Sequence, residues 1–295
     1  MNKTNTYFRL AHQIQDEAFT LSQAGKCNLY LSVSLKSIRL AVADMERNKF
    51  VVLEDYELLS IFTPQQLAEQ IRLIAAENPL LQEQRWQLVR VSISNLHFTL
   101  VPETLYDPLH QSDYLKLHSN LNQKQDLVLS YRHNSLGAVN IFAVDSAVYQ
   151  ALQQAFLDAP LQLVHQTSPL IRSMLHAVGR VTQPQLYAFV ETNYVTILVI
   201  GTDGLEFCNI FHYLSPEDFI YYIVFVMQEQ KLNPEQETVT VWGDIMHDSA
   251  LFNILKKYIR HVKFGERPTA IEYSYKFNDL FEHRYFELYS LHLCE

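Results

Sequence analysis

The sequence lacks paired cysteines and an excess of basic residues. Its three cysteines, Cys27, Cys208 and Cys294, stand singly, without the spacing of a zinc knuckle or a disulfide-rich scaffold. We therefore expect reduced thiols in a cytoplasmic protein. There are 32 acidic residues against 23 lysines and arginines, giving a formal net charge of -9. This balance disfavours a broad nucleic-acid surface, so nucleic acid is not an expected partner.

Long apolar runs are also absent. The longest, Phe219–Met227, has about half of the ~20 residues that a membrane-spanning helix needs, so no transmembrane segment is predicted. Polar residues interrupt the first 19 positions, which therefore do not resemble a signal peptide. Both observations favour a cytoplasmic chain.

Common catalytic motifs are missing too. The sequence has no HExxH, G-x-S-x-G or G-x-x-x-x-G-K-[ST] run, which removes the usual hydrolase and P-loop interpretations. Asp244, His247 and Asp248 could meet around a divalent ion across one helical turn, but a loop that caps the next helix explains them as well. Cys208 and His212 face the same side of a predicted strand and are interpreted as packing residues. No metal is predicted.

The chain contains a structural duplication. Its first copy is predicted as three antiparallel strands, a helix opened by Thr63 and Pro64, and a fourth strand, with strand ranges Leu29–Leu35, Ile38–Met45, Phe50–Leu58 and Gln87–Ser94. A helix between strands makes the fourth strand parallel to an earlier one. The pattern therefore predicts a mixed sheet covered by helices and excludes an all-β barrel.

The second copy repeats this order after a short polar connection, Gly179–Pro184. Three strands are followed by a helix that begins at Ser215, a fourth strand and a second helix. The strand ranges are Leu186–Glu191, Val195–Gly201, Leu205–His212 and Thr238–Trp242, and the second helix is Ser249–Tyr258. We predict a first domain over residues 1–180, with an inserted subdomain at about 96–145, and a second domain over 181–295. The second ends in an aromatic-rich segment from Ile271.

The run Val139–Leu175 resembles one protein family in particular. Its strand, helix, strand and leucine-bearing helix are similar to a segment of the actin-like protein of type IV pilus assembly. The length and order of elements also resemble an uncharacterised Bacteroidetes-type family of unknown function (DUF3822) that has an actin-like ATPase fold. The resemblance implies an α/β chain with a duplicated ribonuclease-H-like fold and two mixed sheets covered by helices.

The resemblance also indicates where nucleotide would bind. Actin-like ATPases carry Asp-x-Gly between the first two strands of each domain, where Asp organises magnesium and Gly lets amides approach phosphate. Ser32 and Ser34 stand at those positions in the first copy, and Glu191 and Asn193 in the second. Of the Gly-Gly pair that accommodates adenosine, Gly243 is kept.

These replacements favour a protein that has lost ATP hydrolysis. Our hypothesis is a non-catalytic actin-like scaffold or partner-binding module without a bound cofactor, whose protein partner the sequence does not identify. The alternative is an ATP-binding enzyme or switch in which Glu191 holds magnesium and Ser32 or Ser34 contacts phosphate. The helix Pro216–Lys231 is apolar almost all round, so it is either buried on several sides or forms a homodimer or partner surface.

Overall fold

The computed structural model describes residues 7–178 and 181–294. Its contacts divide the chain into two units, one formed by residues 1–168 and 270–279 and the other by residues 169–269 and 280–295. Gly179 and Arg180 of the predicted connection lie outside the described residues. In the described part of the chain, no helix is long and apolar enough to cross a membrane.

Fifteen strands and eight α-helices occur in the described residues. In chain order the strands are β1 (Phe8–Gln15), β2 (Cys27–Val33), β3 (Ser37–Asp44), β4 (Lys49–Leu58), β5 (Leu88–Ile93), β6 (Phe98–Pro102), β7 (Asp126–His133), β8 (Ala138–Asp145), β9 (Leu161–His165), β10 (Gln185–Val190), β11 (Tyr194–Gly201), β12 (Gly204–His212), β13 (Thr238–Gly243), β14 (His261–Phe264) and β15 (Glu272–Tyr273). The helices are α1 (Pro64–Glu77), α2 (Pro79–Gln82), α3 (Gln111–Lys116), α4 (Ser146–Ala155), α5 (Thr167–Val178), α6 (Pro216–Glu229), α7 (Ala250–Tyr258) and α8 (Phe286–Ser290).

The first unit is built on a mixed sheet in the order β1-β4-β3-β2-β5-β9, with β15 also paired to β4. Strands β1 to β4 pair antiparallel, whereas β5 and β9 join β2 in parallel. The mixed sheet predicted from the helix crossover is therefore confirmed. Strand β1 was not predicted, because most of its side chains are exposed and half of them are polar; it is held by backbone pairing to β4.

Helix α1 begins where its sequence signals place it. The Thr63 hydroxyl accepts from the Gln66 amide, and the Gln66 side chain accepts from the Thr63 amide, which forms a capping box. The buried face of α1 includes Leu67, Ile71 and Ile74. A cavity of only about 10 Å³ remains between this helix and the sheet, lined entirely by apolar residues. It has no polar partner for a water molecule and no room for a ligand.

A small antiparallel sheet in the order β6-β8-β7 lies within the segment 96–145. Its own core includes Val101, Leu115, Val139 and Ile141. Helix α3 supplies Leu115, which is fully buried, whereas Asp113 and Lys116 of the same helix are exposed. The segment thus has apolar packing of its own.

The second unit repeats the plan with a sheet in the order β12-β11-β10-β13-β14. Its first three strands pair antiparallel, and β13 and β14 add in parallel. Helix α6 starts at Ser215, whose hydroxyl accepts from the Asp218 amide. One side of α6 is buried against the sheet, whereas Tyr221 and Phe225 on the other side are 62% and 41% exposed.

The aromatic C-terminal segment covers the other face of this sheet. Phe286 of α8 stacks on Phe189 at 5.5 Å and lies 5.0 Å from Trp242. Phe286 and Tyr289 are 3% and 0% exposed. The second sheet is therefore packed on both sides, which explains why residues 186–190 of β10 and 239–242 of β13 are all buried.

The first unit also contains a buried polar cluster at the start of α5. His165 Nε2 donates to the Asn95 carbonyl at 3.1 Å, and its Nδ1 lies 2.8 Å from the Thr167 hydroxyl. Asn140 Nδ2 donates to the hydroxyls of Thr167 and Ser168. Burial lowers the pKa of His165 to about 3. The ring is therefore held in its neutral form, with Nδ1 as an acceptor.

We expect this histidine to make stability depend on pH. Because the folded pKa lies below the ordinary value of 6.5, the unfolded chain binds the proton more tightly, and stability is lost as the pH falls below 6.5 towards 3. When the pH falls from 7.5 to 5.5, the titration of His165 alone should lower the free energy of unfolding by about 1.4 kcal/mol. The variant His165→Gln has no titrating group at this position. It should be less stable than the wild type at pH 7.5, but its free energy of unfolding should fall by about 1.4 kcal/mol less than that of the wild type between pH 7.5 and 5.5. Urea unfolding at the two pH values measures this, and an unchanged pH dependence would contradict it.

Candidate functional site

The first candidate turn joins β2 and β3 and is closed by Ser34. The Ser34 hydroxyl oxygen accepts from the amides of Lys36 and Ser37 at 3.1 and 2.9 Å. The Ser34 amide in turn donates to the Ser37 carbonyl at 2.9 Å. Three amides of this turn are thus bonded within the turn, whereas in an actin-like ATPase the amides at this position face phosphate.

Ser32, the other candidate in this copy, lies inside strand β2 and not in the turn. It is 5% exposed and sits in register with Arg39 of β3 and Ser92 of β5. A serine here provides a neutral hydroxyl where the resemblance would place a magnesium-organising carboxylate. Ser32 and Ser34 are therefore close in sequence, but only Ser34 belongs to the turn.

The second candidate turn, between β10 and β11, is closed by Tyr213. The Glu191 amide donates to the Tyr194 carbonyl at 2.8 Å, and the Tyr213 amide donates to the Asn193 carbonyl at 3.0 Å. The Tyr213 hydroxyl donates to the Glu191 carbonyl oxygen at 2.5 Å. Both Glu191 and Asn193 are thus held through their backbones by the residue that follows β12.

The charges around Tyr213 are acidic. Burial raises the pKa of Tyr213, and the carboxylates of Asp244 and Glu191 raise it further. Asp244 also lies 3.7 Å from the Arg284 guanidinium, with both side chains about one quarter exposed. Asp244 takes the place of the second glycine of the adenosine motif, and it adds negative charge where a polyphosphate would need the opposite.

Gly243 is required by the backbone of the fold itself. It ends β13 with φ +96°, and a Cβ atom built on it would lie 2.1 Å from the Val190 carbonyl oxygen. That oxygen accepts from the Asp244 amide at 2.7 Å. The close approach of β13 to β10 at this point accounts for glycine without any ligand.

The C-terminal segment closes the Gly243 loop. The Gly243 amide donates to the His283 carbonyl at 2.9 Å, and His283 Nε2 donates to the Ile245 carbonyl at 2.8 Å. The His283 ring also lies 4.3 Å from the ring of Phe264. Burial lowers the pKa of His283, which favours the neutral ring in this position.

Sequence reasoning did not single out His283 and Arg284. They lie in an irregular stretch between aromatic residues, about 40 positions from Gly243, with no spacing that links the two segments. Their role depends on a long-range contact, which periodicity does not report. The aromatic richness of the tail was the only available signal, and it indicated packing.

The weaker metal hypothesis finds no support from side-chain grouping. Within residues 7–178 and 181–294, no three histidine, cysteine or acidic side chains come together as metal ligands would. His247 instead packs 4.3 Å from Phe264 and 5.3 Å from Phe252. Ser249 caps α7 by accepting from the Phe252 amide, as the capping interpretation requires.

The chain matches the model of a protein family. The model of a family described as a protein of unknown function (DUF3822) matches residues 16–262, which is most of the chain. The chain belongs to this family. No curated protein matches the sequence.

Solved structures place this DUF3822 chain in the actin-like ATPase fold. A protein of unknown function with that fold from Bacteroides thetaiotaomicron VPI-5482 superposes with a TM-score of 0.79 at 19% identity, over 94% of this chain and 99% of the other. A chain of the PilM-PilN type IV pilus biogenesis complex gives a TM-score of 0.53 at 14% identity, over 90% and 96% of the two chains. At these identities the superpositions show the fold alone. Together with the family match, they confirm both resemblances drawn from the sequence.

For this DUF3822 protein, we expect Gly243 to be more sensitive to substitution than a glycine that has a positive φ alone. Gly204 has φ +121°, but a Cβ there meets nothing within 4 Å. Gly204→Ala therefore carries backbone strain only, of about 1–3 kcal/mol. Gly243→Ala adds a clash with the Val190 backbone and should cost about 1–3 kcal/mol more. Denaturant unfolding of both variants tests this, and equal losses would contradict the close approach.

Proposed function

We propose that this protein is a non-catalytic member of the actin-like fold that acts as a scaffold or partner-binding module. One observation carries the proposal: the backbone donors at the nucleotide positions are bonded by the chain's own atoms. Ser34 takes the amides of the first turn, and His283 takes the Gly243 amide. A phosphate or base would have to displace these bonds, and each displaced amide would need a replacement acceptor.

The charges of the second unit support the same proposal. The carboxylates of Glu191 and Asp244 both raise the pKa of Tyr213, so negative charge lies near the turn that would receive phosphate. The structural likeness to a chain of the PilM-PilN complex adds that this fold takes part in a protein assembly in at least one other case. A cytoplasmic protein that binds another protein is thus the role we propose.

Thermal unfolding with magnesium and ATP or ADP tests the proposal. Ligand at about one hundred times its dissociation constant would add ~2.7 kcal/mol and raise the midpoint by several degrees. We expect no shift at millimolar-scale nucleotide, with magnesium alone and nucleotide in EDTA as controls. A magnesium-dependent shift of several degrees would contradict the proposal.

The alternative is a nucleotide-binding enzyme or switch, and one observation favours it. The carboxylates of Glu191 and Asp244 both raise the pKa of Tyr213, so each lies within electrostatic reach of it, and carboxylate oxygens are ligands that magnesium takes. If nucleotide does shift the midpoint, Glu191→Gln distinguishes the two functions. An actual magnesium site should lose the shift in this variant, whereas nonspecific binding should keep it.

A further inference from the structure

Positive charge is concentrated at one place on this acidic chain. Lys256, Lys257, Arg260 and Lys263 are four of its 23 lysines and arginines, and all four are exposed. They lie at the end of α7 and along β14. Residues 249–265 contain no acidic residue, although the chain has 32. We call the surface formed by these four residues the basic edge.

Neighbouring acids leave most of this charge unneutralised. Lys256, Lys257 and Lys263 form no ion pair with any residue that the structure describes. Arg260 lies 4.0 Å from Glu235, and these side chains are 66% and 73% exposed, so the pair contributes little. Most of the other described lysines and arginines do form ion pairs. The basic edge is therefore an exception on this surface.

Two of the lysines are held against aromatic rings. Lys256 Nζ lies 5.3 Å from the centroid of the Phe252 ring, and Lys257 Nζ lies 5.7 Å from that of Tyr258. A cation is attracted to the face of an aromatic ring. Because these contacts restrict the side chains, the two ammonium groups lose less conformational entropy when they bind an anion.

The charges of the basic edge lie on both faces of the second sheet. Val262 and Phe264 of β14 pack against the core that α6 and α7 form on one face. Because side chains alternate along a strand, Lys263 points to the opposite face. The two lysines of α7 lie on the first face together with their helix. An occupant of the edge would therefore meet positive charge on either side.

Strand β14 is the last strand of its sheet. It pairs with β13, and within the described residues no strand lies on its other side. The Gly265 amide donates to the Val241 carbonyl of β13 at 2.9 Å, so alternation turns the amide and carbonyl of Val262 outward. The Arg260 amide donates to the Pro234 carbonyl, and the open stretch begins after it. An extended peptide can add to such an edge through backbone hydrogen bonds.

We propose that the basic edge docks an extended acidic segment of a partner protein. The segment lies along β14 with its backbone at Val262, and its alternating carboxylates reach the lysines on both faces of the sheet. Two β14 edges do not pair with each other in this way, because like charges would meet. The inference rests on the proposed partner-binding role and adds the chemistry of the partner.

The surroundings of the basic edge favour a peptide over a nucleic acid or a membrane. Asp248 and Glu266 bound the basic run in the sequence, and Glu235 lies beside Arg260. A nucleic-acid duplex or a lipid surface is wide and would meet these acids as well as the negative charge of the whole chain. A single peptide strand covers only the edge between them.

Fluorescence anisotropy of a labelled octaglutamate peptide with the full chain is the first test. We expect saturable binding at low ionic strength that weakens as salt is added, and no binding of an octaglutamine peptide. The test variant combines Lys256→Gln, Lys257→Gln and Lys263→Gln and should bind octaglutamate at least about fivefold more weakly.

A matched variant controls for overall charge. It combines Lys26→Gln, Lys116→Gln and Lys124→Gln, which remove the same charge at exposed positions outside the basic edge. Its affinity for octaglutamate should stay close to that of the wild type. Both variants should remain folded, because substitutions of exposed residues cost little stability, and thermal unfolding checks this.

Several results of that experiment would overturn the proposal. Absence of saturable octaglutamate binding, equal binding of octaglutamine, or equal weakening by the two lysine variants would each do so. Duplex DNA, and vesicles of phosphatidylcholine and phosphatidylserine in equal parts, are measured beside the peptide. Tighter binding of either one that depends on the same three lysines would replace the acidic segment with that partner. The nucleotide test is independent of all these results, so this inference and the proposed function can fail separately.

Carbodiimide crosslinking locates the contact without any substitution. The reagent joins a peptide carboxylate to a lysine amine that lies against it, and the product is an amide. With octaglutamate and the wild-type chain, we expect adducts at Lys257 and Lys263, identified by mass spectrometry. Lys124 is also exposed and should react far less. Adducts spread evenly over the exposed lysines would contradict a site at β14.

Discussion

A backbone amide that is withdrawn from water must find an acceptor, and this constraint shapes the ends of the central strands in both units. At the β2 end the acceptor is the Ser34 hydroxyl, and at the β13 end it is the His283 carbonyl. These acceptors come from the chain itself, which is the observation behind the proposed role without nucleotide.

Local contacts account for the residues at two of the motif positions. Gly243 is required because β13 approaches β10 too closely for a side chain, whether or not adenosine binds there. Asp244, which the resemblance aligns with the second glycine, has the Arg284 guanidinium of the C-terminal segment 3.7 Å away. A retained glycine is therefore weak evidence for a retained ligand, whereas the partner of its amide is direct evidence.

Local sequence signals were sufficient to predict the repeated core of the fold. Alternating apolar residues marked the strands, and Thr63 and Ser215 marked the starts of α1 and α6 through short-range caps. The edge strand β1 escaped prediction because His12 interrupts the alternation of Phe8, Leu10 and Ile14, and half of its residues are polar. The closing contacts of the site escaped for another reason: Tyr213 meets Glu191 across 22 positions and His283 meets Gly243 across about 40, distances at which periodicity carries no information.

Amide hydrogen exchange, resolved at Lys36, Ser37 and Gly243, tests this account most directly. If Ser34 and His283 accept hydrogen bonds from these amides, all three should exchange far more slowly than the amide of the exposed residue Asp203 in the β11–β12 turn. Magnesium with ATP should not change their exchange rates. Fast exchange that becomes slow on adding nucleotide would mean that the donors are open and that a ligand is their acceptor. That result would contradict the central claim.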